Sequence, residues 1–127
     1  MKIKLTSVFV NDQEKALRFY TETLGFIKQK DIPVGEFRWL TVSSPEGPQE
    51  IELLLEPNDN PAAKAYQEAL HEQGIPIAAF AVDDVQKEYE RLLALGVVFQ
   101  SEPVTMDSTS LAIFDDSCGN WIQIYQE

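Results

Sequence analysis

Two stretches of this chain repeat one another, and that repetition constrains the fold more than any single motif does. Val10-Asn11-Asp12-Gln13-Glu14-Lys15 aligns with Val82-Asp83-Asp84-Val85-Gln86-Lys87 at an offset of 72. A one-residue gap opposite Thr23 changes the offset to 71. From there Leu24-Gly25 matches Leu95-Gly96, Gln29 matches Gln100 and Leu40 matches Leu111. Ile51-Glu52-Leu53 then matches Ile122-Gln123-Ile124, with no further gap. Identities are few. The weight rests on the secondary-structure signals, which recur in the same order.

Each copy opens with an alternating strand, at about 2–10 and about 75–82. A helix follows, introduced by the capping-box variants Asn11-x-x-Glu14 and Asp83-x-x-Gln86. The first helix places Ala16, Leu17, Tyr20 and Leu24 on one face, the second Val85, Tyr89, Leu92 and Leu93. Gly25 and Gly96 stand where helices stop. Three strands follow in each copy, near 26–32, 36–43 and 49–56, then near 97–101, 108–114 and 120–126. The linker Pro57-Asn58-Asp59-Asn60-Pro61 opens a third helix with Asn60 as cap. This helix runs from about 60 to about 73, with Ala62, Tyr66, Ala69 and Leu70 as its apolar stripe. The pattern predicts one α+β domain over 1–127, built of two βαβββ modules related by pseudo-two-fold symmetry. Module one covers about 1–57 and module two about 75–127.

Composition narrows the function. A length of 127 residues with 44% hydrophobic content suits one folded domain. The net charge of −11 opposes binding to phosphate backbones and anionic membranes, so no nucleic-acid or membrane partner is expected. No apolar run is long enough to span a bilayer, and the N-terminus alternates instead of forming a signal-peptide core. Cys118 is the only cysteine, which excludes an internal disulfide and suits a reducing compartment. A cytoplasmic location is the expectation.

Several local patterns resemble those of a known family. Phe9-Val10-Asn11-Asp12, Ala16, Phe19-Tyr20 and Leu24-Gly25-Phe26 are similar to the opening of vicinal oxygen chelate (VOC) proteins. Val82-Asp83-Asp84, Leu95-Gly96-Val97 and Ser101-Glu102-Pro103 resemble the second half. Asp116-Ser117-Cys118-Gly119-Asn120 is similar to the family's closing turn, with Ser117 where proline is usual. This glyoxalase/bleomycin-resistance superfamily includes lactoylglutathione lyases, extradiol dioxygenases and drug-sequestering proteins. The resemblance implies the glyoxalase/bleomycin-resistance fold with a ligand cleft. It also implies that four positions supply metal ligands in the metal-using members, here Leu5, Glu52, Ile77 and Gln123. Leucine and isoleucine have no donor atoms, and a catalytic zinc needs three good ligands. The expectation is therefore no metal and no cofactor.

Strand alternation assigns the cleft walls. Leu5, Ser7 and Phe9 share one face, Glu52 and Leu54 another, and Trp121, Gln123 and Tyr125 a third, with Trp39 and Thr41 looking the same way. The predicted ligand-binding residues are Phe9, Trp39, Glu52, Trp121, Gln123 and Tyr125: an aromatic cavity with two polar groups. It suits a small, partly apolar molecule, neutral or cationic. The tryptophans serve equally well as core, and Glu52 as a residue at a wet mouth or bonded to Gln123. His71 reads as a helix-terminal residue, Cys118 as a turn residue, and the Asp83-Asp84 and Asp115-Asp116 pairs as caps and turns. No catalytic residue is assigned. The leading reading is a metal-free small-molecule-binding protein, with a homodimer expected from family habit. The alternatives are a lactoylglutathione-lyase-like or dioxygenase-like enzyme with an atypical or absent metal site, and a protein-interaction module with a filled cleft.

Overall fold

The computed structural model describes residues 1–127 as two four-stranded sheets with three α-helices. The first sheet has the order β1-β4-β3-β2, from β1 (Leu5–Val10), β2 (Ile27–Val34), β3 (Phe37–Ser43) and β4 (Glu52–Pro57). The second has the order β5-β8-β7-β6, from β5 (Ala78–Ala81), β6 (Val104–Met106), β7 (Thr109–Asp115) and β8 (Trp121–Gln126). In each, the first strand runs parallel to the last and the rest pair antiparallel. The α+β architecture of two βαβββ modules is thus present. No helix is long and apolar enough to cross a membrane.

The helices are α1 (Gln13–Arg18), α2 (Pro61–Glu72) and α3 (Val85–Ala94). The caps of α1 and α3 are Asp12 and Asp84, one residue after the expected Asn11 and Asp83. Each carboxylate accepts the backbone N–H three residues on, at 3.0 Å. The shift has a cause in the strands. Strand pairing carries through Val10 and Val82, whose backbones bond to Asn58 and Tyr125, so one linking residue must precede each cap. A π-helical turn, Phe19–Thr23, extends α1, with the Leu24 N–H bonded to the Phe19 carbonyl at 3.0 Å. One extra residue in a helix is accommodated by such a turn, and the repeat gap opposite Thr23 is that residue.

In α2 the buried positions are Ala63 and Gln67, with Leu70 half-buried, while Tyr66 is 56% exposed. The expected stripe through Ala62 and Tyr66 is therefore rotated by one residue. Gln67 drives the rotation: its Nε2 reaches the carbonyls of Phe9 and Cys118 and the Asn120 Oδ1, and its Oε1 accepts from Asn58. Residues 97–101, expected as a strand, contribute only an isolated bridge from Phe99 to Phe114, and the edge strand is β6 instead.

Register also corrects the repeat. Val8 pairs with Leu55 as Phe80 pairs with Ile124, and Val42 pairs with Leu53 as Phe114 pairs with Ile122. Leu40 and Val42 thus correspond to Ala112 and Phe114, and Leu53 and Leu55 to Ile122 and Ile124. The loop before β8 is three residues shorter than the loop before β4, and the ungapped alignment misses this. Matching Leu40 to Leu111 was a one-residue slip, which reverses the sheet face. Matching Glu52 to Gln123 was a two-residue slip, which keeps the face and changes the neighbour.

The helix-facing sides form two cores. Val8, Val10, Leu40, Val42, Leu53 and Leu55 pack on Ala16 and Tyr20; Ala112, Phe114, Ile122 and Ile124 pack on Val85 and Leu92. Each large side chain buried this way contributes about 1.5–3 kcal/mol. Phe19, Leu24, Ile77, Ala78 and Phe80 touch both cores and join the modules. Cys118, from the last hairpin of module two, is buried in the core of module one. Beside it the buried Asp116 accepts from the Tyr20 hydroxyl at 2.6 Å, from Asn120 Nδ2 at 2.8 Å, and from the N–H groups of Cys118 and Asn120.

Candidate functional site

The sheet faces turned away from the helices are the candidate binding walls. In module one, Leu5 pairs with Glu52, Ser7 with Leu54, Phe9 with Glu56, Thr41 with Leu54 and Ile32 with Trp39, so these residues share one face. Thr41 and Leu54 are buried at its centre. Around them Leu5, Ile32, Val34 and Trp39 stand 45%, 51%, 57% and 39% exposed. So many large apolar groups in the open on one sheet face mark a contact surface.

Glu52 is the polar feature of this wall. The Thr41 hydroxyl donates to its Oε1 at 2.5 Å and Lys30 Nζ lies 3.2 Å from its Oε2. The Thr41 hydroxyl first, then the Lys30 ammonium, hold the carboxyl below its ordinary range against the opposing effect of burial. The group is fixed and ionised at neutral pH, and its charge is already matched by Lys30. A hydrogen bond to Gln123, weighed from sequence, is replaced by these two.

In module two, Trp121, Gln123 and Tyr125 follow one another on the same face of β8, all half-buried. Ala79 and Ala81 are the partners of Gln123 and Tyr125 on β5. Trp121 is engaged by α2. Its Nε1 donates to the His71 carbonyl at 2.9 Å and its ring stacks on the His71 imidazole at 5.1 Å and 10°. His71 Nε2 lies 3.4 Å from Asp115 Oδ2. The sequence marks His71 as a helix-terminal residue, and nothing in its spacing announces this long-range contact.

Phe9, Trp39 and Glu52 therefore gather on one sheet and Trp121, Gln123 and Tyr125 on the other. No hydrogen bond joins the two groups. Of the six, Glu52 alone lines one of the three main cavities. That cavity, about 270 Å³, runs between the modules past Thr6, Phe26, Ile51 and Phe80. A larger one of about 680 Å³ adjoins it and shares Phe26, Ser44 and Phe80. Sequence reasoning missed both, because they depend on how the modules pack.

The residues do not fit a divalent metal. No three His, Cys, Asp or Glu side chains converge anywhere in the chain. Leu5 beside Glu52 offers no donor atom. In module two the Ile77 N–H bonds to the Trp121 carbonyl, while Gln123 pairs with Ala79, so the second half of the family's ligand set is an apolar side chain and a neutral amide that are out of line with each other.

A family model, the "Glyoxalase/Bleomycin resistance protein/Dioxygenase superfamily", matches residues 2–124. The uncharacterized protein YurT of Bacillus subtilis (strain 168) is 55% identical over the whole of both chains. The crystal structure of UcmS2 superposes with a TM-score of 0.84 at 32% identity, covering 98% of this chain and 97% of that one. TnmS3, described as an antibiotic binding protein from Streptomyces sp. CB03234, superposes with a TM-score of 0.74 at 31% identity, covering 99% and 95%. With its fold, its repeated modules and its sequence in agreement, the chain belongs to the glyoxalase/bleomycin resistance protein/dioxygenase superfamily.

Proposed function

We propose that this protein binds a small, partly apolar molecule without a metal, on the sheet faces turned away from its helices. The observation that carries the reading is the module-one wall: exposed Leu5, Ile32, Val34 and Trp39 around a Glu52 carboxylate fixed by Thr41 and Lys30. A few oriented polar groups in an apolar surround give a ligand orientation as well as affinity. The antibiotic-binding description of TnmS3 supports the same class of ligand. The donor set favours binding over metal-activated lyase or dioxygenase chemistry, which would need ligands these positions lack.

One wall does not enclose a ligand. A second copy, placing its module-two wall of Gln123 and Tyr125 opposite, is the simplest closure, and a two-fold pair is the commonest oligomer. The exposed Val104 and Met106, which pair with Leu111 and Thr109, would extend that contact. The Lys30–Glu52 pairing neutralises the carboxylate at position 52, so a neutral polar group suits it at least as well as a cation.

A thermal-shift screen of planar aromatic compounds, followed by titration of tryptophan emission, tests the proposal. A true ligand raises the melting temperature and alters the emission of Trp39. Trp39→Ala should abolish binding with little loss of stability, since the side chain packs in neither core. A ligand whose affinity ignores Trp39→Ala would overturn the assignment of this wall. Sedimentation giving only a 14.4 kDa species at all concentrations would overturn the paired closure.

A further inference from the structure

The two cavities between the modules share Phe26, Ser44 and Phe80, so they are ends of one trench, which borders the sheet walls at Glu52, Ala79 and Ala81 but leaves Trp39 outside its lining. Phe26 and Phe80 meet edge-to-face at 5.2 Å and 84° to form its saddle. The larger end, about 680 Å³, has Phe114, Leu92 and Ile124 in its floor. Its volume lies within the range of about 300–1,000 Å³ that small-molecule sites occupy.

Charge sets the class of occupant. Glu46, from the loop after β3, and Asp83, Asp84 and Glu88, from the start of α3, stand at the rim with Lys87 and Arg91. Glu88 and Arg91 neutralise each other, with Arg91 Nε 3.1 Å from Glu88 Oε2, and Arg91 also donates to the Thr23 carbonyl. That leaves three carboxylates against the single ammonium of Lys87. Below this negative rim lie phenylalanine rings, whose faces attract cations. The net charge of −11 adds a long-range field of the same sign.

We infer that the trench is a second binding site, for an organic cation that carries its charge on a flat apolar body. The body fills the Phe26–Phe80 saddle and the cationic group lies against Glu46 and Asp83. The site needs no partner chain and no metal. Its occupant differs in charge preference from that of the sheet wall, where Lys30 offsets Glu52.

Three probes with one ring system and different charge test this by calorimetry on the full chain: 1-naphthylmethylammonium, 1-naphthalenemethanol and 1-naphthoate. The ammonium should bind tightest and the carboxylate weakest, with the gap narrowing as salt rises. Glu46→Gln with Asp83→Asn should weaken the ammonium by about tenfold and leave the alcohol nearly unchanged. Lys87→Gln should tighten it. All three substitutions lie outside the two cores, and circular dichroism checks the fold. Trp39→Ala alters the sheet wall and not the trench, so the ammonium should keep its affinity within about twofold. The inference fails if none of the probes binds, if the carboxylate matches the ammonium, or if the rim substitutions change nothing. It also fails if Trp39→Ala abolishes binding, which would assign the probe to the sheet wall instead.

Discussion

Tyr20→Phe removes one oxygen atom and tests how the two modules are held together. The Tyr20 hydroxyl donates to Asp116 Oδ2 at 2.6 Å across 96 residues of sequence, with both side chains shut off from solvent. Without it, the carboxylate keeps Asn120 Nδ2 at 2.8 Å and the N–H groups of Cys118 and Asn120 at 2.8 and 3.0 Å. A hydrogen bond to a charged group contributes about 1.5–3 kcal/mol, and the phenyl ring leaves almost no cavity, so the expected loss is about 2 kcal/mol at neutral pH. Burial lifts the Asp116 carboxyl above its ordinary range although four donors pull it down. A carboxyl raised in the folded state supports folding on the acid side and loses that support as pH climbs through its folded pKa. Phenylalanine at position 20 removes one of the opposing donors, so Asp116 rises further. The variant should then lag the wild type more at about pH 7.5 than at about pH 4.5. Urea unfolding at both values measures this. A loss under about 0.5 kcal/mol, or the same loss at both, refutes the reasoning.

Three further outcomes follow from the same geometry. Burial first, then Asp116, pushes the Cys118 thiol up to about 12, so a disulfide-exchange reagent at neutral pH should label it only in urea, and rapid labelling of the native protein would contradict its place in the core. Asp12→Ala and Asp84→Ala should each cost about 1 kcal/mol, read as a lower melting temperature, because each deletes a helix cap; an unchanged melt would mean that the N–H groups find other partners. Gly119 has a φ of +103°, and an added Cβ would lie 2.8 Å from Gln67 Nε2. Gly119→Ala should therefore cost at least about 2 kcal/mol in chemical denaturation, by backbone strain and by displacing Gln67 from its acceptors, and a near-neutral variant would show the hairpin to be more yielding.

What was legible in the sequence follows from the period of each element. A helix has 3.6 residues per turn, so one extra residue cannot pass unnoticed: the gap opposite Thr23 became the π turn that ends α1. Glycines at positive φ marked the ends of the helices, Gly25 at +90° and Gly96 at +87°. A strand has a period of two, and Ile-x-Leu patterns match themselves after a slip of two residues. The shorter loop before β8 was hidden for that reason, and Glu52 was aligned with Gln123 when its register equivalent is Trp121. A two-residue slip keeps every side chain on its own face, so the grouping of Phe9, Trp39 and Glu52 on one wall and Trp121, Gln123 and Tyr125 on another did not depend on the register. Adjacency did depend on it. The partners that decide the chemistry, Thr41 and Lys30 for Glu52 and His71 for Trp121, come from neighbouring strands and from a helix, at separations no local pattern reports. Alternation therefore gives the composition of a sheet face, whereas its charge balance depends on which strand lies beside which. In this chain that difference makes Glu52 half of a neutral pair with Lys30, where the sequence allowed a wet mouth or a bond to Gln123.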